Sequence, residues 1–456
     1  VAITGNVGNS LIGLDSFQEV YIAGIVMPIT KHSFVVRKVE ELHDIVREAF
    51  RIAQSGRPGP VLIDIPKDVT SNICEFEHFS KIERNVCAAK FNNPISDIVK
   101  VINDSKRPIV LFGGGVEISG AEAELLQFLD KADIPATHTL MAAGVLSYGE
   151  RLNLGLIGMH GSMSAGKAIA ESDCLIAIGT RFSDRVATDK SHFAGKSTII
   201  HIDIDAAEIN KNVNCDMSII GDVKETLQLL MPLIKLNKHE EWLKYIEDLK
   251  QYDYKPKDKD GVLRPHQIIK SLSNAIGDNG IIVTDVGQHQ MWAAQYCKHT
   301  KPRSFLTSGG LGTMGYGYGA SVGAQIAFPN KKVALVTGDG CFHMNLNELC
   351  TSVKYNLPIV TIVFNNSVLG MVRQWQTQFY EKRYASTTLD RVTDYVKLAE
   401  AFGAKGYRAT TIEEFDKAIK DAFASKCPCV IDAVIDRDEK VLPMIPAGKT
   451  IDEIIM

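Results

Sequence analysis

The amino-acid sequence predicts an α/β fold in which parallel sheets are flanked by helices. Short runs of β-branched residues end in glycine and are followed by helical patterns, as is typical of parallel α/β layers. The pattern occurs in three successive segments of the 456 residues, a length that suits two to four domains. We therefore predict three domains, at residues 1–85, 90–235 and 255–456.

The first segment contains fewer elements than a complete domain of this type. A helical pattern covers residues 39–55, and a strand pattern at 61–65 ends at Pro66-Lys67-Asp68. The opening residues, 1–5, resemble the end of a strand that enters a loop. We expect this domain to be incomplete and the chain to be N-terminally truncated, and a targeting segment could have been lost with the missing part.

The second and third segments each contain several strand patterns. Residues 108–112 lead into Gly113-Gly114-Gly115, and further strands are predicted at 134–137, 174–178 and 199–204, as in a doubly wound nucleotide-binding sheet. A polar, lysine-rich stretch at 236–260 predicts a helix and a linker. The third segment has strand patterns at 280–284, 332–337, 359–364 and 429–434.

Composition excludes several classes of protein. With a net charge of −4 the chain does not present the concentrated basic surface that nucleic acid requires. Its nine cysteines are dispersed, which argues against a disulfide framework. No apolar run reaches the roughly 18–20 residues of a spanning helix. We expect a soluble protein without nucleic-acid or membrane partners, cytoplasmic or, in a eukaryote, organellar.

Two polar motifs follow successive strands of the third segment. Gly338-Asp339-Gly340 ends one strand and Asn365-Asn366 ends the next, at the edge where open α/β sheets bind ligands. Asp339 and Asn366 offer the oxygens that Mg²⁺ prefers beside phosphates, and glycines let a diphosphate approach the backbone. Alone, each motif is as well explained by a turn or a helix cap.

Together these motifs match the diphosphate–magnesium motif of thiamine-diphosphate enzymes, and the chain resembles in particular the catalytic large subunits of acetolactate synthase. The motifs that carry the resemblance are Val286-Gly287-Gln288-His289-Gln290-Met291-Trp292, Gly309-Gly310-Leu311-Gly312-Thr313-Met314-Gly315, Leu369-Gly370-Met371-Val372 with Gln374-Trp375, Val441-Leu442-Pro443-Met444-Ile445-Pro446, Gly179-Thr180-Arg181-Phe182-Ser183-Asp184-Arg185-Val186, Phe17-Gln18-Glu19, Ile29-Thr30-Lys31-His32 and residues 55–67. The resemblance covers essentially the whole chain. It implies the three-domain thiamine-diphosphate enzyme architecture.

The resemblance implies an enzyme that decarboxylates pyruvate on thiamine diphosphate and joins the two-carbon unit to pyruvate or 2-ketobutyrate. Asp339, Asn366 and the main-chain carbonyl of Val368 would bind Mg²⁺, and Met314 would hold the cofactor bent. The other implied contacts to this cofactor are Val286, Gly287, Gln288, His289, Gly312, Gly338, Gly340, Cys341, Leu369, Gly370 and Met371. Without the resemblance, a methionine such as Met314 is better explained as a core filler.

The resemblance also implies FAD in the middle domain. The matching positions are Arg57, Gly113, Gly114, Gly115, Thr139, Leu140, Met141, Met159, His160, Gly161, Gly179, Arg181, Ser183, Arg185, Val186, Asp203, Ile204, Asp222 and Val223. Gly113–Gly115 could admit backbone amides to a pyrophosphate or simply allow a tight strand–helix turn. Asp203 could bind a ribose hydroxyl or cap a helix, and the residues leave these alternatives open.

The pocket for the second keto acid would be formed by Phe17, Gln18, Lys67, Met159, Arg185 and Trp375, and the catalytic set would be Gln18, Arg185, Met314 and Trp375. Arginine offers a two-donor fork to a carboxylate, and an indole offers an apolar wall. Taken alone, Arg185 is better explained as a surface cation and Trp375 as a packing residue.

Two positions depart from the family pattern, and one expected residue has no counterpart. Ser183 stands where relatives commonly carry a second aspartate, and Gly8 where many carry a proline. The family's activating glutamate lies upstream of everything matched, so we expect it to be absent, and neither Glu19 nor Glu40 is assigned to the role. The resemblance implies a homodimer or homotetramer, because the cofactor lies between two subunits, and a possible regulatory small subunit.

Other functions stay open at this stage. Related thiamine-diphosphate enzymes are pyruvate oxidase, a glyoxylate carboligase and the flavin-free catabolic acetolactate synthase. From another class, a non-catalytic cofactor-binding module fits a chain without the glutamate. Gln374-Trp375 and the 181–186 loop favour the biosynthetic acetolactate synthase.

Overall fold

The computed structural model describes residues 1–75 and 89–456. The predicted end of the first domain, residue 85, lies outside the described residues. The chain divides into two compact units, the first taken from Val1–Lys90 with Ile204–Ala206 and Ile220–Asp222, and the second containing the remainder. Each unit is built around sheets whose strands are short and mostly parallel.

The first unit contains a parallel sheet of three strands in the order β1-β3-β2. The central strand, β3, is apolar and buried, and the amphipathic helix α2 packs its apolar side against it. In chain order the elements are β1 (Ala2–Asn6), α1 (Ile22–Val26), β2 (His32–Val35), α2 (Val39–Gln54), β3 (Val61–Pro66) and α3 (Lys67–Ser71).

The second unit begins with a seven-stranded sheet in the order β4-β10-β9-β8-β5-β6-β7. Its centre is formed by β5 and β8, which are completely buried and pair in parallel. The elements are β4 (Lys90–Phe91), α4 (Ile95–Asp104), β5 (Pro108–Phe112), α5 (Gly114–Ser119), α6 (Glu122–Ala132), β6 (Ala136–His138), β7 (Asn153–Leu156), α7 (Met163–Ala170), β8 (Cys174–Ile178), β9 (Thr198–Asp203), β10 (Met217–Ile220), α8 (Val223–Leu230) and α9 (Glu240–Leu249).

A six-stranded parallel sheet follows, in the order β12-β11-β13-β14-β16-β15. Alternate residues of its strands enter two apolar cores: Ala334 and Val336 face one, and Val333 and Leu335 face the other. The elements are α10 (Pro265–Ile276), β11 (Ile281–Thr284), α11 (Gln288–Tyr296), β12 (Phe305–Thr307), α12 (Tyr316–Ala327), β13 (Val333–Gly338), α13 (Asp339–Asn345), α14 (Leu349–Lys354), β14 (Val360–Asn365), α15 (Gly370–Phe379), α16 (Tyr395–Phe402), β15 (Lys405–Ala409), α17 (Ile412–Ser425) and β16 (Cys429–Val434).

The predicted α/β class with parallel sheets is confirmed, and most predicted strands begin and end within one residue of the observed ones. The strand predicted at 134–137 is shifted to Ala136–His138. Asp133 adopts a left-handed conformation at the end of α6 and the Ile134 amide still donates to Leu129 O, so the chain becomes extended only after Pro135. Among the described residues, no helix is both long and apolar enough to cross a membrane.

Candidate active site

Three polar residues lie at one edge of the six-stranded sheet. Strands β11, β13 and β14 are parallel neighbours, with Thr284 opposite Val336 and Gly338 opposite Phe364. Asp285, Asp339 and Asn366 follow these strands directly or within one residue. The carboxyl ends of the strands therefore bring the sequence-predicted metal ligands to one edge.

The Asp339 carboxylate is buried against the segment that contains Asn366. Its Oδ1 accepts from the Gly340 amide at 2.9 Å and its Oδ2 from the Ser367 amide at 2.9 Å. Burial raises the pKa of Asp339 to about 6, and both amides act in the opposite direction. A divalent cation beside this carboxylate would offset the cost of its burial.

Asn366 does not cap the following helix, which begins at Gly370 with Leu369 as its N-cap. Its Oδ1 instead accepts from the Val368 amide at 3.1 Å. The Leu369 amide donates to Thr387 O, and the Leu389 amide donates to Ser367 O. These bonds fix the main chain on both sides of Val368, the third predicted ligand. The helix-cap alternative for Asn366 is wrong, since Leu369 is the N-cap, and the bond from the Val368 amide is that of a local turn.

Three glycines allow close packing beside Asp339 and Asn366, where a side chain on any of them would crowd its neighbours. A Cβ on Gly370 would lie 2.0 Å from Gln288 Oε1, and one on Gly338 would lie 3.0 Å from His289 Nδ1. A Cβ on Gly340 would lie 2.9 Å from a Leu369 methyl and 3.6 Å from the Met314 methyl. We call Gly338, Gly340 and Gly370 the glycine cradle.

Two buried polar atoms in this region have no hydrogen-bond partner in the described part of the chain. They are Gln288 Oε1 and His289 Nε2, and such atoms cost about 1–3 kcal/mol each when left unpaired. Burial lowers the pKa of His289 to about 3, so its ring is neutral. Both atoms are available to a ligand, and the arrangement fits a diphosphate with its metal.

Two hydrogen bonds donated by its side-chain amide fix the orientation of Gln288. Its Nε2 donates to Gln374 Oε1 at 2.9 Å and to Glu439 O at 2.7 Å. Gln374 is fixed in turn, since it donates to Val441 O and accepts from the Val441 amide. Gln288 therefore presents an acceptor oxygen to the glycine cradle, which suits a water on Mg²⁺ better than a phosphate oxygen.

Met314 lies in a turn between β12 and α12 and is partly buried. The Thr313 amide before it donates to Ser308 Oγ at 3.1 Å, and the Gly315 amide after it donates to Asp285 Oδ1 at 2.8 Å. At the start of this segment Met141 covers Gly309: a Cβ there would lie 2.2 Å from the Met141 sulfur.

The remaining residues predicted around thiamine diphosphate lie on the same strand ends and helix starts. Burial raises the pKa of Cys341 to about 12, and its thiol donates to Val286 O at 3.1 Å, so the sulfur is an unreactive packing group. The positions of the others are Gly287 before α11, Gly312 in the Met314 turn, Leu369 at the N-cap of α15 and Met371 in its first turn.

Comparisons with known proteins agree with this geometry. Residues 285–433 match the family described as thiamine pyrophosphate enzyme, C-terminal TPP binding domain, and residues 95–230 match its central domain. The chain is 45% identical to a probable acetolactate synthase large subunit of Methanocaldococcus jannaschii, with all of this chain and 80% of the relative covered. The chain belongs to the acetolactate synthase large-subunit family. An acetolactate synthase large subunit of Mycobacterium tuberculosis is 43% identical, with 76% of its length covered.

The three-glycine run of this acetolactate synthase family member makes a close strand–helix turn. The Gly113 amide donates to Ile178 O at 2.9 Å and the Gly115 amide to Gly179 O at 3.1 Å. A Cβ on Gly115 would lie 2.6 Å from Gly179 Cα. Backbone packing thus accounts for these glycines, and two of the three amides that could have faced a pyrophosphate are used internally.

The other positions implied for FAD in acetolactate synthases lie mainly at strand ends of the seven-stranded sheet. Thr139, Leu140 and Met141 follow β6, and Met159, His160 and Gly161 follow β7. Gly179, Arg181, Ser183, Arg185 and Val186 follow β8, Asp203 ends β9 and Val223 begins α8. Arg57, Ile204 and Asp222 belong to the first unit.

The residues implied for the second keto acid fall in both units. In the second, the Met159 amide donates to Arg185 O at 2.9 Å, while the Arg185 side chain is 63% exposed and contacts Asp184. Trp375 is partly buried on α15 beside Phe379. In the first, Phe17 is 88% exposed, Gln18 has a φ of 63° and Lys67 begins α3.

Sequence reasoning gave no role to Asp285, Gln374 or Leu389. Asp285 follows a predicted strand as Asp339 does, so its position was a usable signal. Gln374 was noted only as part of a motif. Nothing in the sequence indicates that Leu389 lies near Gly340, because this contact depends on how the 367–389 segment folds back.

Proposed function

We propose that the protein is an acetolactate synthase: it decarboxylates pyruvate on thiamine diphosphate and transfers the two-carbon unit to pyruvate or 2-ketobutyrate, the first common step of branched-chain amino-acid biosynthesis. The names of its relatives support this. The observation that carries it is the buried Asp339 carboxylate, held against the Asn366 segment beside a glycine cradle.

Asp339, Asn366 and the Val368 carbonyl would hold Mg²⁺, and the main chain at the glycine cradle would bind the diphosphate. When bound, thiamine diphosphate supplies an electron sink for the departure of CO₂. Two residues of the chain would contact the cofactor. Neutral His289 offers it a ring nitrogen, and Met314, which lies beside Gly340, would support it.

The middle sheet would hold FAD. The support is the resemblance, since packing against Gly179 already explains Gly113 and Gly115. The strand-end surface that remains for FAD is formed by Met141, which is partly exposed, and by the segment after β7. We also propose the three sheets as the cores of the three predicted domains.

Arg185 would bind the carboxylate of the second keto acid. Its main chain is fixed to Met159 while its guanidinium reaches outward. We expect Arg185→Gln to raise the KM for the second keto acid about tenfold with little change in thiamine diphosphate affinity, because a charge-assisted hydrogen bond contributes about 1.5–3 kcal/mol. Steady-state kinetics of acetolactate formation measure this.

Lys190→Gln is the matched control, since Lys190 is an exposed cation of the same loop that donates to Asn212. It should leave the KM unchanged. An equal rise in both variants would mean that general electrostatics, and not binding at Arg185, sets the KM.

A second copy of the chain would complete the active site. Exposed apolar side chains are concentrated in the first unit, and such a surface marks an interface. They include Leu14, Phe17, Tyr21, Ile25, Met27 and Ile29. We propose a homodimer or homotetramer, and the name "large subunit" of the relatives supports a small regulatory partner.

A product assay tests the function. The holoenzyme with Mg²⁺, thiamine diphosphate and FAD should convert pyruvate to acetolactate without oxygen consumption and should carry a flavin spectrum. Oxygen-dependent turnover would indicate pyruvate oxidase, turnover without flavin the catabolic synthase, and tartronate semialdehyde formed from glyoxylate a carboligase. Cofactor binding with no turnover would favour a non-catalytic module or a synthase chain that lacks the activating glutamate.

A further inference from the structure

A buried carboxylate holds the backbone immediately after Met314. Asp285 is 1% exposed at the end of β11, and its Oδ1 accepts from the amides of Gly315 at 2.8 Å and Gly317 at 3.0 Å. A Cβ on Gly317 would lie 3.0 Å from Asp285 Cγ. This contact therefore requires glycine at position 317.

The same carboxylate is tied to the strand that ends beside Asp339. The Thr337 hydroxyl donates to Asp285 Oδ2 at 2.8 Å, and Thr337 is followed by Gly338 of the glycine cradle. Three donors converge on Asp285, so its carboxylate is an acceptor toward each of them. Asp285 thus connects the Met314 turn to β13 through a single side chain.

The Met314 turn has little else to define its conformation. Gly312 and Gly315 have φ values of 65° and 86°, a region that glycine enters without strain but also leaves readily. On the far side of Met314, Ser308 Oγ accepts from the Thr313 amide. Asn345 donates to Gly315 O at 3.3 Å, a longer bond.

We propose that Asp285 is a positioning residue that fixes the Met314 turn relative to β13. It thereby sets the position from which the Met314 side chain would support the thiamine cofactor. The proposal rests on the proposed function, because Met314 is given that supporting role there. Asp285 itself does not touch the cofactor in this proposal.

Hydrogen–deuterium exchange of the cofactor-free protein tests whether Asp285 stabilises the Met314 turn. Asp285→Ala should speed exchange of peptides that contain Gly315 and Gly317 about tenfold, because both amides lose their acceptor. Asp285→Asn should stay near wild type, since its amide oxygen still accepts from the glycines and the Thr337 hydroxyl can turn to accept. Thr337→Val removes the tie to β13 but leaves both glycine bonds in place, so it should speed exchange less than Asp285→Ala does. Unchanged exchange in Asp285→Ala would overturn the proposal.

A double-mutant cycle tests whether Asp285 acts through Met314. Titration calorimetry with thiamine diphosphate and Mg²⁺ should show that Asp285→Ala raises the Kd about tenfold in the wild type but less than about twofold in Met314→Ala, as coupled residues are non-additive. Additive effects would overturn the proposal. A wild type that binds no thiamine diphosphate would instead refute the proposed function, and the exchange experiment would still decide whether Asp285 holds the turn.

Discussion

Replacing Asp339 with alanine is expected to abolish the Mg²⁺-dependent binding of thiamine diphosphate. The carboxylate is the only charged group among the three proposed ligands, and it is buried with both oxygens facing inward. Breaking a buried charge pair costs about 3–5 kcal/mol, which is at least about 100-fold in affinity. Titration calorimetry with and without Mg²⁺ measures the loss.

The control for this variant is Asp436→Ala. Asp436 follows β16, the strand next to β14, but it is exposed, and within the described part of the chain its carboxylate accepts from the Asp438 amide alone. Cofactor affinity should be unchanged in this variant. If Asp339→Ala retained metal-dependent affinity, the magnesium site would have to lie elsewhere.

Gly370→Ala is expected to weaken thiamine diphosphate binding roughly tenfold or more. The new Cβ would lie 2.0 Å from Gln288 Oε1 and 2.9 Å from Asn366 Nδ2. Gln288 cannot move aside without losing its bonds to Gln374 and Glu439, and overpacking of this kind costs about 1–3 kcal/mol. Cofactor titration and thermal unfolding should both report the change.

Gly323→Ala separates this clash from the general effect of glycine in a helix. Gly323 lies in α12 with nothing within 4 Å of an added Cβ, so alanine there should be neutral or stabilising by roughly 0.5–1 kcal/mol. Its cofactor affinity should equal the wild-type value. Wild-type affinity in Gly370→Ala as well would show that Gln288 and Asn366 do not border the diphosphate.

Sequence reasoning located the strands that are buried on both faces. Strands β5, β8 and β16 were predicted to the residue, because each is mainly apolar and is followed by a glycine or a charged turn, with Asp432 as the one charged residue within β16. Strands β2, β4, β7, β10, β12 and β15 were not predicted. They are short or half exposed, and β15 includes Lys405 and Arg408, so neither an apolar run nor a clean alternation distinguishes them from loops.

The sequence indicated that the proposed metal ligands lie together, for a comparable reason. Asp339 and Asn366 follow consecutive strands, and parallel pairing alone brings such ends together. The hydrogen bonds that position Gln288 beside these residues could not be inferred, because its side chain donates to the Glu439 carbonyl, 151 positions away. Every residue has a main-chain carbonyl, so the sequence does not indicate which of them will accept such a bond.

The contact of Met141 with Gly309 makes this region sensitive to oxidants. Met141 is 45% exposed, and its sulfur lies directly over the glycine that begins the segment leading to Met314. Conversion to the sulfoxide would add a polar oxygen where no Cβ fits. We therefore expect peroxide oxidation of this surface side chain to disturb the segment that leads to Met314.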